Sequence, residues 1–268
     1  MLAQDLVKEC HLGEAIEAQL AETRSFPADA DRRHLLFTLL AFAGDLERAH
    51  KQADALGTLA PALESWAEIY RGLLAAENER RRVHREGASP LLPKEPPPHL
   101  TRRLEALAAL RAGDAGTART VLAAAAGPAL GGRIDGVPFT AIADADDALG
   151  GVLEVFAGGR YLWVPWERIR RLDIPEPRHL IDTLWVEARL EEHSGVAAVV
   201  YLPVLYEGSW SCSDDRLRLG RITDWTDSLG VAFRGSGQRV LAVERGPDQD
   251  PEQRALLTIR TLELEPAT

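Results

Sequence analysis

Residues 134–169 read IDGVPFTAIADADDALGGVLEVFAGGRYLWVPWERI, and this stretch decides how the chain divides. Residues 152–156 and 161–164 are β-branched and aromatic runs. The four residues between them include Gly158 and Gly159. Adjacent glycines supply the positive φ of a tight hairpin, so the stretch predicts two antiparallel strands. Upstream the sequence is rich in Ala, Leu and Arg with helical spacing; downstream it breaks into short strand-like runs punctuated by Gly, Pro, Asp and Ser. The expected fold is therefore α+β: a helical half over 1–130, then a β-rich half over 131–268, built as a mostly antiparallel sheet or partly open barrel. The acidic run Asp144, Asp146, Asp147 sits at the seam.

At 268 residues the chain is long enough for two ordinary cores. Its 46% hydrophobic and 27% charged content marks a globular protein. The formal net charge of −10 argues against general nucleic-acid binding, which needs a cationic face to displace counterions. No apolar run approaches the length of a membrane span, and the N-terminus has no basic segment followed by an apolar core. The two cysteines, Cys10 and Cys212, lie in different halves, so no disulfide framework is expected and a cytoplasmic location follows.

In the helical half, Leu2, Leu6 and Val7 share a face, and Leu12, Ile16 and Leu20 continue it at spacing four. Later helices carry Leu35, Leu36, Leu39 and Leu40, then Leu46, Ala49 and Ala53, then Trp66, Ile69, Tyr70, Leu73 and Leu74. The string Ala43-Gly44-Asp45-Leu46-Glu47-Arg48-Ala49 returns as Ala112-Gly113-Asp114-Ala115-Gly116-Thr117-Ala118, and more weakly from Leu12 to Ala18. Gly at a turn with a small Ala five places on is what a close helical hairpin needs. The spacing approaches the tetratricopeptide (TPR) period of about 34 residues, which predicts a short TPR-like array. Residues 87–98, with Pro96-Pro97-Pro98, interrupt it as a proline-rich spacer.

In the β-rich half the expected strands are 151–156, 160–165, 185–190, 197–202, 231–233, 238–243 and a closing strand over 256–264. Short helices are expected at 166–171 and 176–184.

The sequence carries few marks of catalytic chemistry. Counted from Asp144, an EF-hand loop needs Gly at its sixth position and Glu at its twelfth; Leu149 and Val155 stand there. The three aspartates are expected to cap or solvate a helix start. The seven histidines and two cysteines offer no metal-ligand spacing, there is no phosphate-binding glycine loop, and Ser209 lacks a nucleophile elbow. No cofactor is expected. Arg80, Arg81, Arg82 and Arg85, interleaved with Glu77, Glu79 and Glu86, read as a solvated helix face laced with ion pairs. The tryptophans of the second half, Trp163, Trp166, Trp185, Trp210 and Trp225, read mainly as core.

Several strings together resemble the ImpE/TagJ (SciE-type) accessory proteins of the type VI secretion system. They are Arg33-His34-Leu35-Leu36-Phe37, Phe42 to Ala49, Glu77 with Arg80, Asp135-Gly136-Val137-Pro138-Phe139, Asp144 to Glu154, Tyr161-Leu162-Trp163-Val164-Pro165, Leu202-Pro203, Tyr206 with Gly208-Ser209, Leu219 to Trp225, and Gly237-Gln238-Arg239. The proline-rich insert has no counterpart among them. The resemblance implies a cytoplasmic, non-enzymatic adaptor whose partners are the small sheath subunit TssB and the ClpV-type ATPase. It also implies an N-terminal helical contact with ClpV, which falls here on Leu2, Leu6, Val7, Leu12 and Ile16. The alternative from another class is a small-molecule hydrolase with a carboxylate site around Asp144, Asp146, Asp147, Asp224 and Arg239.

Overall fold

The computed structural model describes residues 2–59, 61–246 and 250–267. The first half is helical: α1 (Ala3–Lys8), α2 (Leu12–Ser25), α3 (Ala30–Phe42), α4 (Leu46–Leu59), α5 (Glu64–Glu86), α6 (Pro98–Ala112) and α7 (Ala115–Ala124). The repeated Gly-Asp string has a structural reason at two of its three places. Gly44 and Gly113 adopt left-handed φ of 74° and 73°. In each, the following Asp amide donates five residues back, to Leu40 O and Ala109 O, closing a Schellman turn. The same Asp then caps the next helix, Asp45 accepting from Arg48 N at 3.1 Å and Asp114 from Thr117 N at 3.0 Å. Ala49 and Ala118 are fully buried where the helices meet. The third place differs: Gly13 lies within the first turn of α2 and makes no turn between helices. The break falls earlier, at Cys10, whose φ is 60°.

The second half follows as β1 (Gly132–Ile134), β2 (Val137–Phe139), β3 (Ala141–Asp144), β4 (Val152–Ala157), β5 (Arg160–Pro165), β6 (Ile169–Asp173), β7 (Trp185–Glu192) and β8 (Ala197–Pro203). A four-residue helix, α8 (Asp215–Arg218), precedes β9 (Thr223–Ser228), β10 (Ala232–Gly237), β11 (Val240–Glu244), β12 (Glu252–Ala255) and β13 (Thr261–Leu264). Eight strands form one antiparallel sheet in the order β2-β1-β13-β6-β7-β8-β4-β5, beside a three-stranded sheet β12-β11-β3 and a β9–β10 hairpin. The hairpin read from Gly158 and Gly159 is present, with φ of 55° and 73° in a two-residue loop.

Three expected elements are different. Residues 256–264 are a 3-10 turn at Leu256–Thr258 followed by β13, because the Asp135 carboxylate accepts the amides of Arg260 and Thr261, both at 2.9 Å, and redirects the chain into the sheet. Residues 166–171 make one 3-10 turn, Trp166–Arg168, and then enter β6. Residues 176–184 are helical only as the 3-10 turn Leu180–Thr183, since Pro177 precedes it and Asp182 takes the amides of Arg178 and His179.

The proline-rich segment does more than span two helices. Leu91 N donates to Tyr161 O and Trp163 N donates to Leu91 O, both at 3.0 Å, so Leu91 acts as a one-residue strand covering the outer edge of β5. Pro98 then occupies the first turn of α6, where a missing N–H costs nothing. One hydrophobic cluster runs through both halves, joining Leu73, Leu74 and Val83 of α5 to Val155, Phe156 and Trp163 of the sheet. Among the described residues, no helix is long and apolar enough to cross a membrane.

Candidate functional site

Where α5 lies on the sheet, a cluster of charged side chains is buried. Glu154 on β4 is wholly inaccessible. Its carboxylate accepts from Arg80 Nε and Nη2 at 2.9 Å each, from His84 Nε2 at 3.0 Å, from Tyr161 Oη and from Arg239 Nη2. Arg80 also donates to Leu205 O at 2.9 Å and lies 3.5 Å from Glu77. Arg239, between β10 and β11, donates to Asp144 Oδ2 at 2.5 Å and to Pro203 O at 3.2 Å. Tyr206 Oη donates to Asp144 Oδ1 at 3.0 Å. Two carboxylates thus alternate with two guanidiniums across elements that are up to 159 residues apart in sequence (80 to 239).

The electrostatics follow from this packing. Burial disfavours the Glu154 carboxylate, but Arg80 and Arg239 outweigh it and hold the group well below the usual carboxylate range. Asp144 has the weaker set of partners; burial pushes it up to about 6, with Arg239 opposing the rise. Burial and Glu154 together push the Tyr161 phenol well up, so it stays a neutral donor.

The acidic run therefore has a different role from the expected helix cap. β3 ends at Asp144 and no helix follows. Asp144 and Asp146 accept the amides two residues ahead, Asp146 N and Ala148 N, and turn the chain toward β4. Asp146 also pairs with Arg234 at 2.8 Å, and Asp147 accepts from Phe233 N at 2.6 Å, which pins the β9–β10 hairpin. The arginine cluster on α5 is likewise only partly a solvated face. Arg80 is buried, Arg81 stacks over Trp210 at 4.5 Å, and Arg85 reaches both that ring and Glu207. Arg82 and Arg85 match the expectation in being exposed and ion-paired, Arg82 lying 3.7 Å from Glu86.

Of the residues proposed for a hydrolase site, the fold gathers Asp144 and Arg239 but as a closed ion pair. Asp147 and Asp224 are exposed, and Asp224 accepts from its own neighbour's amide. An open hollow of about 640 Å³ touches Asp144 and Asp147 beside Arg103, without Asp224 or Arg239 on its wall. Ser209 Oγ is buried, donating to Tyr206 O and accepting from Gly237 N. Trp163, Trp166 and Trp185 are core, while Trp210 and Trp225 are half-buried. Among the described residues, no group of three His, Cys, Asp or Glu side chains is placed to hold a metal ion.

The N-terminal residues separate by burial. Leu6, Val7 and Leu12 point into the chain's own core, Ile16 is half-buried, and Leu2 is 67% exposed. Leu2 borders a groove of about 570 Å³ between α1, α2 and α3, whose wall includes Ala18, Ala21, Leu35, Glu22, Asp29 and Asp31.

The model of the ImpE protein family matches residues 136–263, a span that includes Asp144, Glu154 and Arg239. Over 268 residues the chain is 35% identical to the type VI secretion system accessory component TagJ of Pseudomonas aeruginosa, covering 99% of this chain and 92% of that protein. The chain belongs to the ImpE/TagJ family. An accessory role in type VI secretion is what this membership supports. The ImpE/TagJ fold is also seen in a crystal structure of a Vibrio parahaemolyticus protein, which superposes with a TM-score of 0.88 over 98% of this chain and 97% of that one at 22% identity.

Proposed function

We propose that this ImpE/TagJ chain is a non-enzymatic adaptor that binds a TssB-like sheath subunit and a ClpV-type ATPase in the cytoplasm and tethers the two. The observation that carries the reading is the full-length similarity to an accessory component, 35% identity over 99% of the chain. The site chemistry is consistent with it. Of the carboxylates a hydrolase would use, Asp144 is held by Arg239 and Asp146 by Arg234 inside the fold, while Asp147 and Asp224 are exposed and accept from backbone amides. Tethering raises the local concentration of one partner near the other without new chemistry.

The helical half, read as TPR-like hairpins, offers the groove beside Leu2 and Leu35 to a partner helix. Leu6, Val7, Leu12 and Ile16 support that surface from beneath, and Leu2 touches the partner. The acidic wall of Glu22, Asp29 and Asp31 suits a helix with basic flanks; Arg32 pairs with two of these three. The test mixes the purified chain with TssB and, separately, with the ClpV N-terminal domain. Absence of binding to both at tens of micromolar would refute the adaptor, and a Leu2→Asp variant that binds both as well as the parent would move the contact elsewhere.

A further inference from the structure

The eight-stranded sheet protects two of its edges and leaves a third place open. At one end, β5 is covered by Leu91. At the other, β2 is only three residues long and carries Pro138, which offers no N–H to an incoming strand. Inside the sheet, β8 pairs with β7 from Ala197 to Pro203, but β4 meets β8 only at Phe156 opposite Tyr201. Continuing that antiparallel register, the β4–β5 turn at Gly158 and Gly159 lies level with Val199 and Ala198, and β4 has left the sheet there. Glu192 N donates to Val196 O at 2.8 Å, so even-numbered β8 residues direct their backbone groups to β7. Ala197 and Val199 direct theirs to the open side.

The side chains of β8 itself are uncharged at this notch, although Arg189 and Glu191 stand opposite Val199 and Ala197 on β7. Val196 is 59% and Val199 63% exposed, and residues 196–202, VAAVVYL, carry no charge. None of the usual edge guards, Lys, Pro or a bulge, is present. A hollow of about 420 Å³ lies beside it, walled by Ile69, Leu73, Phe156, Tyr201 and the side-chain-free Gly158 and Gly159, with Glu68 as its one charged side chain.

We propose that the open edge of β8 at Ala197–Val199 is a β-augmentation site for an extended, uncharged, β-branched segment of another protein. The unpaired N–H and C=O groups of Ala197 and Val199 dictate an extended strand as occupant, and the uncharged Ala197 and Val199, the direct neighbours of an added strand, with Tyr201 beside them, favour apolar residues at alternate positions. The area selects a peptide over a second copy: a notch of three or four residues offers far less than the ~1,200 Å² that a specific stable dimer buries. Gly158 and Gly159 leave the added strand room to run on into the hollow. The site lies away from the Leu2 groove and stands whether or not the adaptor reading holds.

The probe is a fluorescent peptide of about ten residues, alternating Thr and Val between terminal lysines, added to the full chain. Binding is read by anisotropy and by amide hydrogen exchange. Saturable binding is expected, with exchange at Ala197 and Val199 slowed about tenfold or more on complex formation. Val199→Lys should abolish binding at an unchanged melting temperature. Ala197→Pro should do the same, since it removes an N–H that β7 does not use. No binding by the parent chain, or binding that survives both variants, overturns the proposal. So does concentration-dependent dimerisation of the parent that Val199→Lys removes, because the occupant would then be a second copy.

Discussion

Glu154→Gln is the sharpest probe of the buried network. The substitution keeps the shape of the side chain and removes its charge, leaving Arg80 and Arg239 facing a neutral amide. Breaking a buried ion pair by removing one partner costs ~3–5 kcal/mol. Here each guanidinium keeps a second carboxylate, Asp144 at 2.5 Å from Arg239 and Glu77 at 3.5 Å from Arg80, which places the cost at the lower end, about 3 kcal/mol. The amide also presents a donor where His84, Tyr161 and both arginines donate, so part of the set must lose its acceptor. Against a total stability of about 5–15 kcal/mol this is a large fraction. Urea unfolding should be followed by helical circular dichroism and by tryptophan emission, whose buried reporters Trp163, Trp166 and Trp185 all lie in the β-rich half. Because Arg80 and His84 belong to α5 and Glu154 to β4, both signals should shift together to lower urea. Adding Arg80→Met should recover ~1–3 kcal/mol relative to the sum of the single losses. A cost under about 1 kcal/mol, or signals that separate in the parent chain, would refute the view that this network locks the two halves together.

Trp163→Ala empties a site with 1% exposure whose indole N–H reaches Tyr161 Oη at 2.5 Å, so a loss of ~3–5 kcal/mol is expected in the same denaturation assay; an unchanged midpoint would place the ring at the surface. Gly44→Ala and Gly113→Ala form a matched pair: both impose a left-handed Cβ, costing ~1–2 kcal/mol, but only at Gly44 would that Cβ meet the Trp210 ring, at 2.6 Å. Gly44→Ala should therefore be the more destabilising, and equal losses would contradict the Trp210 packing. For pH, the raised Asp144 value means that the native chain holds a proton the unfolded chain has released. Its contribution, ~3 kcal/mol at most, is complete below about pH 4 and lost as pH rises through about 6. Glu154 has the opposite sign, its contribution present above the unfolded carboxylate range and lost as pH falls through its depressed native value. Asp144→Asn should thus flatten stability between pH 4.5 and 6.5 relative to the parent, and parallel profiles for the two proteins would show that Asp144 does not titrate there.

What the sequence discloses here depends on how local the cause is. The β4–β5 hairpin is written in two adjacent glycines, and the Gly44 and Gly113 turns in a Gly-Asp pair whose members close one helix and cap the next. The β1–β2 hairpin carries the same kind of mark, Asp135 at φ 51° followed by Gly136 at φ 81°, and an Asp-Gly signal between short runs is enough to find it. The misread closing strand is not local. Alternation from Leu257 to Leu264 suits a strand, but Asp135, more than 120 residues earlier, sets where it begins. The buried network is the extreme case. Arg80, Asp144, Glu154 and Arg239 each look like surface charges in their own windows. Only Glu154 gives itself away, as the one charge in the run Val152-Leu153-Glu154-Val155-Phe156, where a strand buried on both faces leaves no side for a carboxylate to reach water. A charge in such a run requires partners, and the partners need not be near in sequence. Here they come from α5 and from the link between β10 and β11, so Glu154 fixes how a helical half and a β-rich half hold one relative position. A tether that must present two partners to each other in a defined geometry depends on that rigidity, which ties the buried charges to the adaptor reading through the scaffold.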